Sequence, residues 1–250
     1  HVYFAISSSY FSPVSLVAVV GYDFKELDRR LLESHSVDIS GLEHNPGKTF
    51  RWAGSYKLEE PDSRETLDTQ LNVFGNFSPK LSSIHSRSLF LFLANIDPEL
   101  QIDVLNKMTS RPALVSLDTM NYWIESKKEK LITVIKAVDL LFIDETEIKG
   151  LSGEHNIAKA VRVVMNWGPS TVLVKRGEHG ALLFSENSTF AVPAFPLDVV
   201  VDPTGAGDSF AGGFMGYIAK TRDLSPATFR RASVVGAVMG SFAVESFSVD

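Results

Sequence analysis

The sequence predicts a three-layer, doubly wound α/β domain with a mostly parallel sheet, and three observations predict it. Short strand-like runs that are apolar throughout recur along the chain. Each is followed by a segment with helical spacing. Near the C-terminal end, a glycine-rich turn runs straight into a long amphipathic helix. Strands apolar on both faces belong in a sheet that helices cover on both sides.

The elements follow in order. Residues 16–20 are a short β-branched run closed by Gly21, and 24–33 has helical spacing with Leu27, Leu31 and Leu32 on one face. Residues 89–93 form a continuous apolar run, and 98–108 reads as a helix with Pro98 in its first turn. A strand over 114–117 precedes a helix over about 121–136. Further strands are expected at 140–143 and 171–175, with a short helix and then a second one at 157–167 between them. Residues 180–185 and 189–192 read as a hairpin. Residues 48–77 break the rhythm: 49–58 and 66–74 mix polar and apolar residues around Pro61-Asp62-Ser63. They are expected to form a small antiparallel excursion, either a surface hairpin or a lid.

Composition narrows the function. A chain of 250 residues is within reach of one large domain, here taken as 1–250 with an inserted lid at about 45–80. With 44% hydrophobic and 22% charged residues it has the balance of a globular protein. The net charge of −6 gives a nucleic-acid partner no general support. The absence of cysteine excludes a disulfide framework, a thiolate metal site and a cysteine nucleophile. No apolar run approaches the ~20 residues that span a bilayer. A cytoplasmic protein without membrane or nucleic-acid partners is expected. The opening His1-Val2-Tyr3-Phe4-Ala5-Ile6 has no basic leader, so it does not read as a signal peptide; it reads as the inside of an element begun earlier.

The chemistry centres on 202–213, DPTGAGDSFAGG. The strand-like Val199-Val200-Val201 leads through this turn into a helix with Phe210, Phe214, Tyr217 and Ile218 on one face. Backbone N–H groups at a helix N-terminus, aided by its dipole, favour an anion. Gly205 and Gly207 let a phosphate approach closely. Asp208 would repel that phosphate, a cost explained if it accepts the proton of an attacking hydroxyl. The competing reading is an Asp that helps start the helix. Gly47-Lys48-Thr49 fails as a P-loop, because the required glycine position is Leu42 and 34–40 is polar rather than a buried strand. A dinucleotide fingerprint also fails, since its third glycine would fall at Phe210.

DPTGAGDSFAGG resembles the second signature of the PfkB (ribokinase-like) carbohydrate kinase family. Residues 7–23, 66–77, Asp118-Thr119-Met120-Asn121 and Lys175-Arg176-Gly177-Glu178-His179-Gly180 resemble other family segments in the right order, across essentially the whole chain. The resemblance implies an ATP-dependent kinase that phosphorylates a hydroxyl of a sugar or sugar-like molecule. A nucleoside kinase of the same fold, or a degenerate nucleotide-binding protein, is the alternative. It implies Asp208 as base, with the amides of Gly205, Ala206 and Gly207 as an anion hole. Asp144 and Glu147 fall on the N-x-x-E positions that organise Mg²⁺ largely through water, with Asp where the family has Asn; they could also simply begin a helix. Lys175, Gly177, Gly180 and Thr204 would line the nucleotide, although Lys175 could be a solvated charge. Asp202, with Thr204, matches a possible K⁺ site. Asn72, Asn76 and Asn95 are candidates to contact the acceptor. A Gly-Gly signature and a strand are expected at or before His1, and a homodimer through the lid is expected.

Overall fold

The computed structural model describes residues 2–57 and 60–248. The chain begins with helix α1 (Val2–Ser9), strand β1 (Ser15–Val20), helix α2 (Glu26–Ser34) and strand β2 (Asp38–His44). Strands β3 (Arg51–Lys57) and β4 (Glu60–Gln70) follow, then β5 (Phe90–Leu93), α3 (Pro98–Lys107) and β6 (Leu114–Asp118). Next come α4 (Asn121–Ser126), α5 (Lys128–Ile135), β7 (Leu140–Asp144), α6 (Glu145–Ser152), α7 (Ile157–Met165) and β8 (Thr171–Lys175). The chain ends with β9 (Ala181–Ser185), β10 (Ser188–Val192), α8 (Ala206–Thr221) and α9 (Pro226–Val244).

The main sheet has six strands in the order β10-β9-β8-β7-β6-β5. Strands β5 to β8 are parallel, β9 pairs antiparallel with β8, and β10 pairs antiparallel with β9 at the edge. Alternate residues of the buried strands feed two cores. Leu141, Ile143, Val172 and Val174 pack under α4 to α7. Leu140, Phe142 and Leu173 pack on the other face against Phe210, Phe214 and Ile218 of α8 and Ala232 of α9. The result is the expected three layers, with helices on both faces.

Several expectations need correction. The run at 16–20 is a strand, but it pairs with β2 in a separate two-stranded parallel sheet. The polar stretch around 38–40 belongs to that β2 strand. Its residues are mostly half-buried, so the apolar signature of a central strand is missing. Val199-Val200-Val201 is not a strand: the three residues are 65%, 51% and 48% exposed. The run has β-propensity but no partner strand among the described residues, and the Val201 amide instead donates to the carbonyl of Val244 at the end of α9 (2.8 Å). The expected helix 121–136 is two helices, broken at Lys127 with φ −138°. Leu27 of α2 is 73% exposed while Leu32 is buried. The opening residues form helix α1, which packs on α8, and its Ser7 hydroxyl donates to the Ser209 carbonyl (2.7 Å).

The excursion at 48–77 is antiparallel, as expected, and forms its own sheet of β3 and β4. Pro61-Asp62-Ser63 falls inside β4 rather than between the strands, and the turn at 58–59 lies outside the described residues. Asn72 and Asn76 sit in a short 3₁₀ turn after β4.

Phe214 is fully buried between the rings of Phe142 and Phe229, with centroids at 5.4 and 5.6 Å. Phe214→Ala is expected to cost about 3–5 kcal/mol, the usual range for a buried Phe→Ala change. Urea unfolding measures it. A loss below about 1 kcal/mol would mean this side of the sheet is not packed as described.

Candidate active site at the strand ends

The C-terminal ends of the parallel strands open on one cleft of about 1930 Å³. Asp118, Asp144 and Lys175 are the last residues of β6, β7 and β8, and Asn95 follows β5 by two residues. The N-terminus of α8 faces the same cleft through Gly205, Ala206, Gly207 and Asp208. In open α/β sheets this crevice is where ligands bind.

The turn into α8 is built for close approach. Asp202 Oδ1 accepts the amide of Thr204 (2.9 Å), shaping the turn. Gly205 then takes the left-handed region at φ +83°. A Cβ there would lie 2.4 Å from the ring of Tyr3, so the position is closed to other residues on both counts. The Ala206 amide donates back to the Pro203 carbonyl at 3.3 Å, a long bond that an anion would have to displace or share. The opposite wall holds the turn at 177–180. Gly180 has φ +78°, and a Cβ would sit 2.1 Å from the Val192 carbonyl oxygen.

Charge is concentrated at the strand ends. Lys175 Nζ lies 3.0 Å from Asp118 Oδ1, with side chains only 18% and 7% exposed. It is therefore not a solvated charge. Burial alone would lower the Lys175 pKa, but Asp118 and then Glu147 outweigh it and push it up to about 12. Burial pushes the Asp118 carboxyl up; Lys175 opposes that shift and Asp208 adds to it. Asp144 and Glu147 form a reciprocal capping box at α6. Asp144 Oδ1 accepts the Glu147 amide (2.7 Å), and Glu147 Oε2 accepts the Asp144 amide (3.0 Å). The helix-starting role is thus real. Burial and then neighbouring Asp144 hold Glu147 well above the usual carboxylate range.

The cleft brings together most of the residues singled out in the sequence. Asp208, Gly205, Ala206, Gly207 and Thr204 line it from the turn. Lys175, Gly177, Gly180, Asp144, Glu147 and Asn95 line it from the strand ends. Asn95 is held by Trp123, whose indole N–H donates to its Oδ1 (3.0 Å). Asn72, Asn76 and Asp202 are not among the lining residues. The Asn72 side chain donates to the Thr49 carbonyl (2.9 Å) and ties down the base of the β3–β4 sheet. The sequence places Asp118 in a segment that resembles the family but gives it no role at the site. It is visible as an acid ending an apolar strand, but its partner is 57 positions away.

The donors suit a hard cation, since carboxylate oxygens are what Mg²⁺ prefers. Among the described residues, no group of three or more His, Cys, Asp or Glu could hold a metal by itself. An ion beside Asp144 and Glu147 would take its remaining ligands from water and phosphate.

Fold and site together define the ribokinase-like class of small-molecule kinases. A crystal structure of Methanocaldococcus jannaschii nucleoside kinase, described as an archaeal member of the ribokinase family, superposes with TM-score 0.76. It is 22% identical and covers 98% of this chain and 78% of its own. A Vibrio cholerae fructokinase, solved with fructose, ADP and calcium, superposes with TM-score 0.78 at 20% identity, covering 98% and 84%. Cytidine kinase from Thermococcus kodakarensis is 29% identical over 219 residues, 84% of this chain and 76% of its own length. The pfkB family carbohydrate kinase profile matches residues 4–246, and the chain belongs to that family. It is a phosphotransferase with an alcohol group as acceptor.

Glu147 gives the site a stability signature. A carboxyl with a raised folded-state pKa binds its proton more tightly folded than unfolded. Its contribution is fully present below the unfolded value, near 4.5, and is lost as pH rises through the folded value. Glu147→Gln never carries the charge and keeps a carbonyl oxygen for the Asp144 amide. Without divalent metal, the variant should gain stability relative to wild type as pH rises from about 5 to about 8. Urea midpoints at both pH values test it, and a difference that stays constant contradicts a buried, raised Glu147.

Proposed function

We propose that this chain transfers the γ-phosphoryl group of ATP to a ribose hydroxyl of a nucleoside. The observation that carries the transfer is Asp208, in the first turn of α8 and facing the cleft, next to a turn that only glycine can make. Asp208 accepts the proton of the acceptor hydroxyl as its oxygen attacks the γ-phosphorus, and ADP leaves. The amides of Gly205, Ala206 and Gly207 meet the charge that develops on the transferred group. Lys175, Gly177, Gly180 and Thr204 hold the nucleotide. Magnesium, held through water and phosphate by Asp144 and Glu147, would neutralise phosphate charge. The fructokinase of the same fold that holds ADP and calcium supports an adenine nucleotide with a divalent ion. Asp202 Oδ1 accepts the Thr204 amide and Asp202 lies outside the cleft lining, so no step of the transfer is routed through K⁺.

A nucleoside acceptor satisfies the broader expectation of a sugar-like hydroxyl, because the reacting group is a ribose. The cytidine kinase matched over 84% of the chain supports it. Asn95 is the acceptor contact favoured here. The β3–β4 sheet acts as the lid, since Phe50, Trp52, Thr69 and Leu71 reach the cleft from it or its flanks. Its exposed Leu67 offers a face for pairing two copies into a dimer. This reading goes with a cytoplasmic location, where ATP is at hand. Among the described residues, no helix is long and apolar enough to cross a membrane.

Three measurements decide the reading. A panel of nucleosides and free sugars, scored by ADP release, should show turnover that is highest with a nucleoside. Release only with free sugars would return the acceptor to the carbohydrates, and binding without turnover would make the chain a nucleotide-binding protein. Asp208→Asn should lower kcat by about 10²–10⁴, the contribution typical of general base catalysis. Retention of activity within about tenfold of wild type would reject Asp208 as the base. A sedimentation mass of one chain at working concentration would reject the dimer.

A further inference from the structure

Lys175 spans more than its own strand. Its cross-strand partner in the register is Asp144 on β7, while Asp118 stands on β6, beyond it. The lysine therefore reaches over the end of one strand, about 4.8 Å of sheet per step, to meet a carboxylate two strands away. The neighbouring Arg176 does not compete for Asp118; it pairs with Glu145 (2.8 Å), which also binds Lys149 (2.6 Å). The Lys175 side chain runs along the start of α8. A Cβ placed on Gly207 would lie 3.0 Å from Nζ, 3.6 Å from Cδ and 3.7 Å from Cε. Gly207 thus leaves the space the ammonium occupies.

A buried ion pair is weak evidence for stability, because desolvating two charges offsets most of their attraction. Asp118 bears that cost, since burial acts against its charged form. The geometry gives a use for it. Glu147 and Asp144 also attract Lys175 electrostatically, on the side where they cap α6. Asp118 is the one carboxylate with a direct hydrogen bond to it among the bonds described, and the ammonium so bonded lies 3.0 Å from where a Cβ on Gly207, at the start of α8, would stand.

Resting on the phosphoryl-transfer reading, we infer that Asp118 is a positioning residue that holds the Lys175 ammonium against Gly207, where the transferred phosphate and its bridging oxygen would meet it. Asp118 touches no reacting atom in this scheme. It acts through Lys175 alone, and that makes the inference testable.

The test uses Asp118→Asn, Lys175→Met and the double variant, with ADP affinity by calorimetry and kcat/KM for ATP. Asp118→Asn keeps an oxygen at Oδ1 but removes the charge. It should lose about 10²-fold in kcat/KM, the penalty of misplacing a group by about 1 Å. Added to Lys175→Met, it should change nothing beyond about twofold. Losses that multiply in the double variant would overturn the inference, as would a folded Asp118→Asn variant with wild-type kinetics. A crystal structure of Asp118→Asn gives a readout independent of turnover: Nζ should leave Gly207 by more than about 1 Å, and an unmoved ammonium overturns the inference. If Asp118→Asn does not fold, Asp118→Glu keeps the charge and should fall between wild type and Lys175→Met. Activity as low as Lys175→Met, with the ammonium still on Gly207, would contradict it. Wild-type protein that neither binds ADP nor phosphorylates any acceptor would end the kinase reading instead, while the variant's structure would still judge the ion pair.

Discussion

The burial of α8 on several sides is the constraint on which the rest of the structure depends. Its residues Ser209 to Gly216 are all buried. Phe210 and Phe214 face the sheet, α1 lies along one flank and α9 along another. The fit is close enough that a Cβ on Gly213 would meet Met239 at 2.6 Å and one on Gly212 would meet the Phe4 carbonyl at 2.5 Å. A helix gripped in this way cannot tilt or slide without breaking packing at interior density. Its N-terminus is therefore held at the C-terminal ends of the parallel strands. The left-handed Gly205 turn is the local consequence, because the chain must arrive at that fixed point past the ring of Tyr3.

That fixed point explains why so much charge can be buried nearby. Asp118, Asp144, Glu147, Lys175 and Asp208 arrive from three strand ends and two helix starts. Together they carry more negative than positive charge, and burial opposes ionisation of Asp118 and Glu147. Such an arrangement is costly for folding and suited to a ligand that brings cations and phosphate into the same space. The capping box shows one pair of residues serving two purposes. Asp144 and Glu147 start α6 through their backbone bonds, and the same carboxyl groups border the cleft.

What could be read from the sequence divides along one line. Features decided by neighbours in the chain were legible. The strands β5 to β8 announce themselves by apolar residues, because both of their faces are covered. The turn at 202–208 announces itself by glycines and an aspartate that a bare helix start would not need. Features decided by distant partners were not. Strand β2 is polar because it lies in a small, half-exposed sheet. Val199-Val200-Val201 looks like a strand but has none to pair with among the described residues. The pairing of Asp118 with Lys175 depends on strand order across the sheet, and no local pattern encodes it. Asn72 and Asn76 look like free polar contacts in the sequence, yet the Asn72 side chain donates to the Thr49 carbonyl and holds the base of the β3–β4 sheet.

The central claim is that the phosphates of a nucleotide settle on the start of α8. Backbone amide chemical shifts of ¹⁵N-labelled protein, followed as ADP is added, test this residue by residue. The account predicts that the largest shifts fall on Gly205, Ala206 and Gly207, with Lys175 and Gly177 responding across the cleft. Saturable ADP binding that leaves the amides of 205–207 unmoved, and shifts another face of the protein instead, would contradict it.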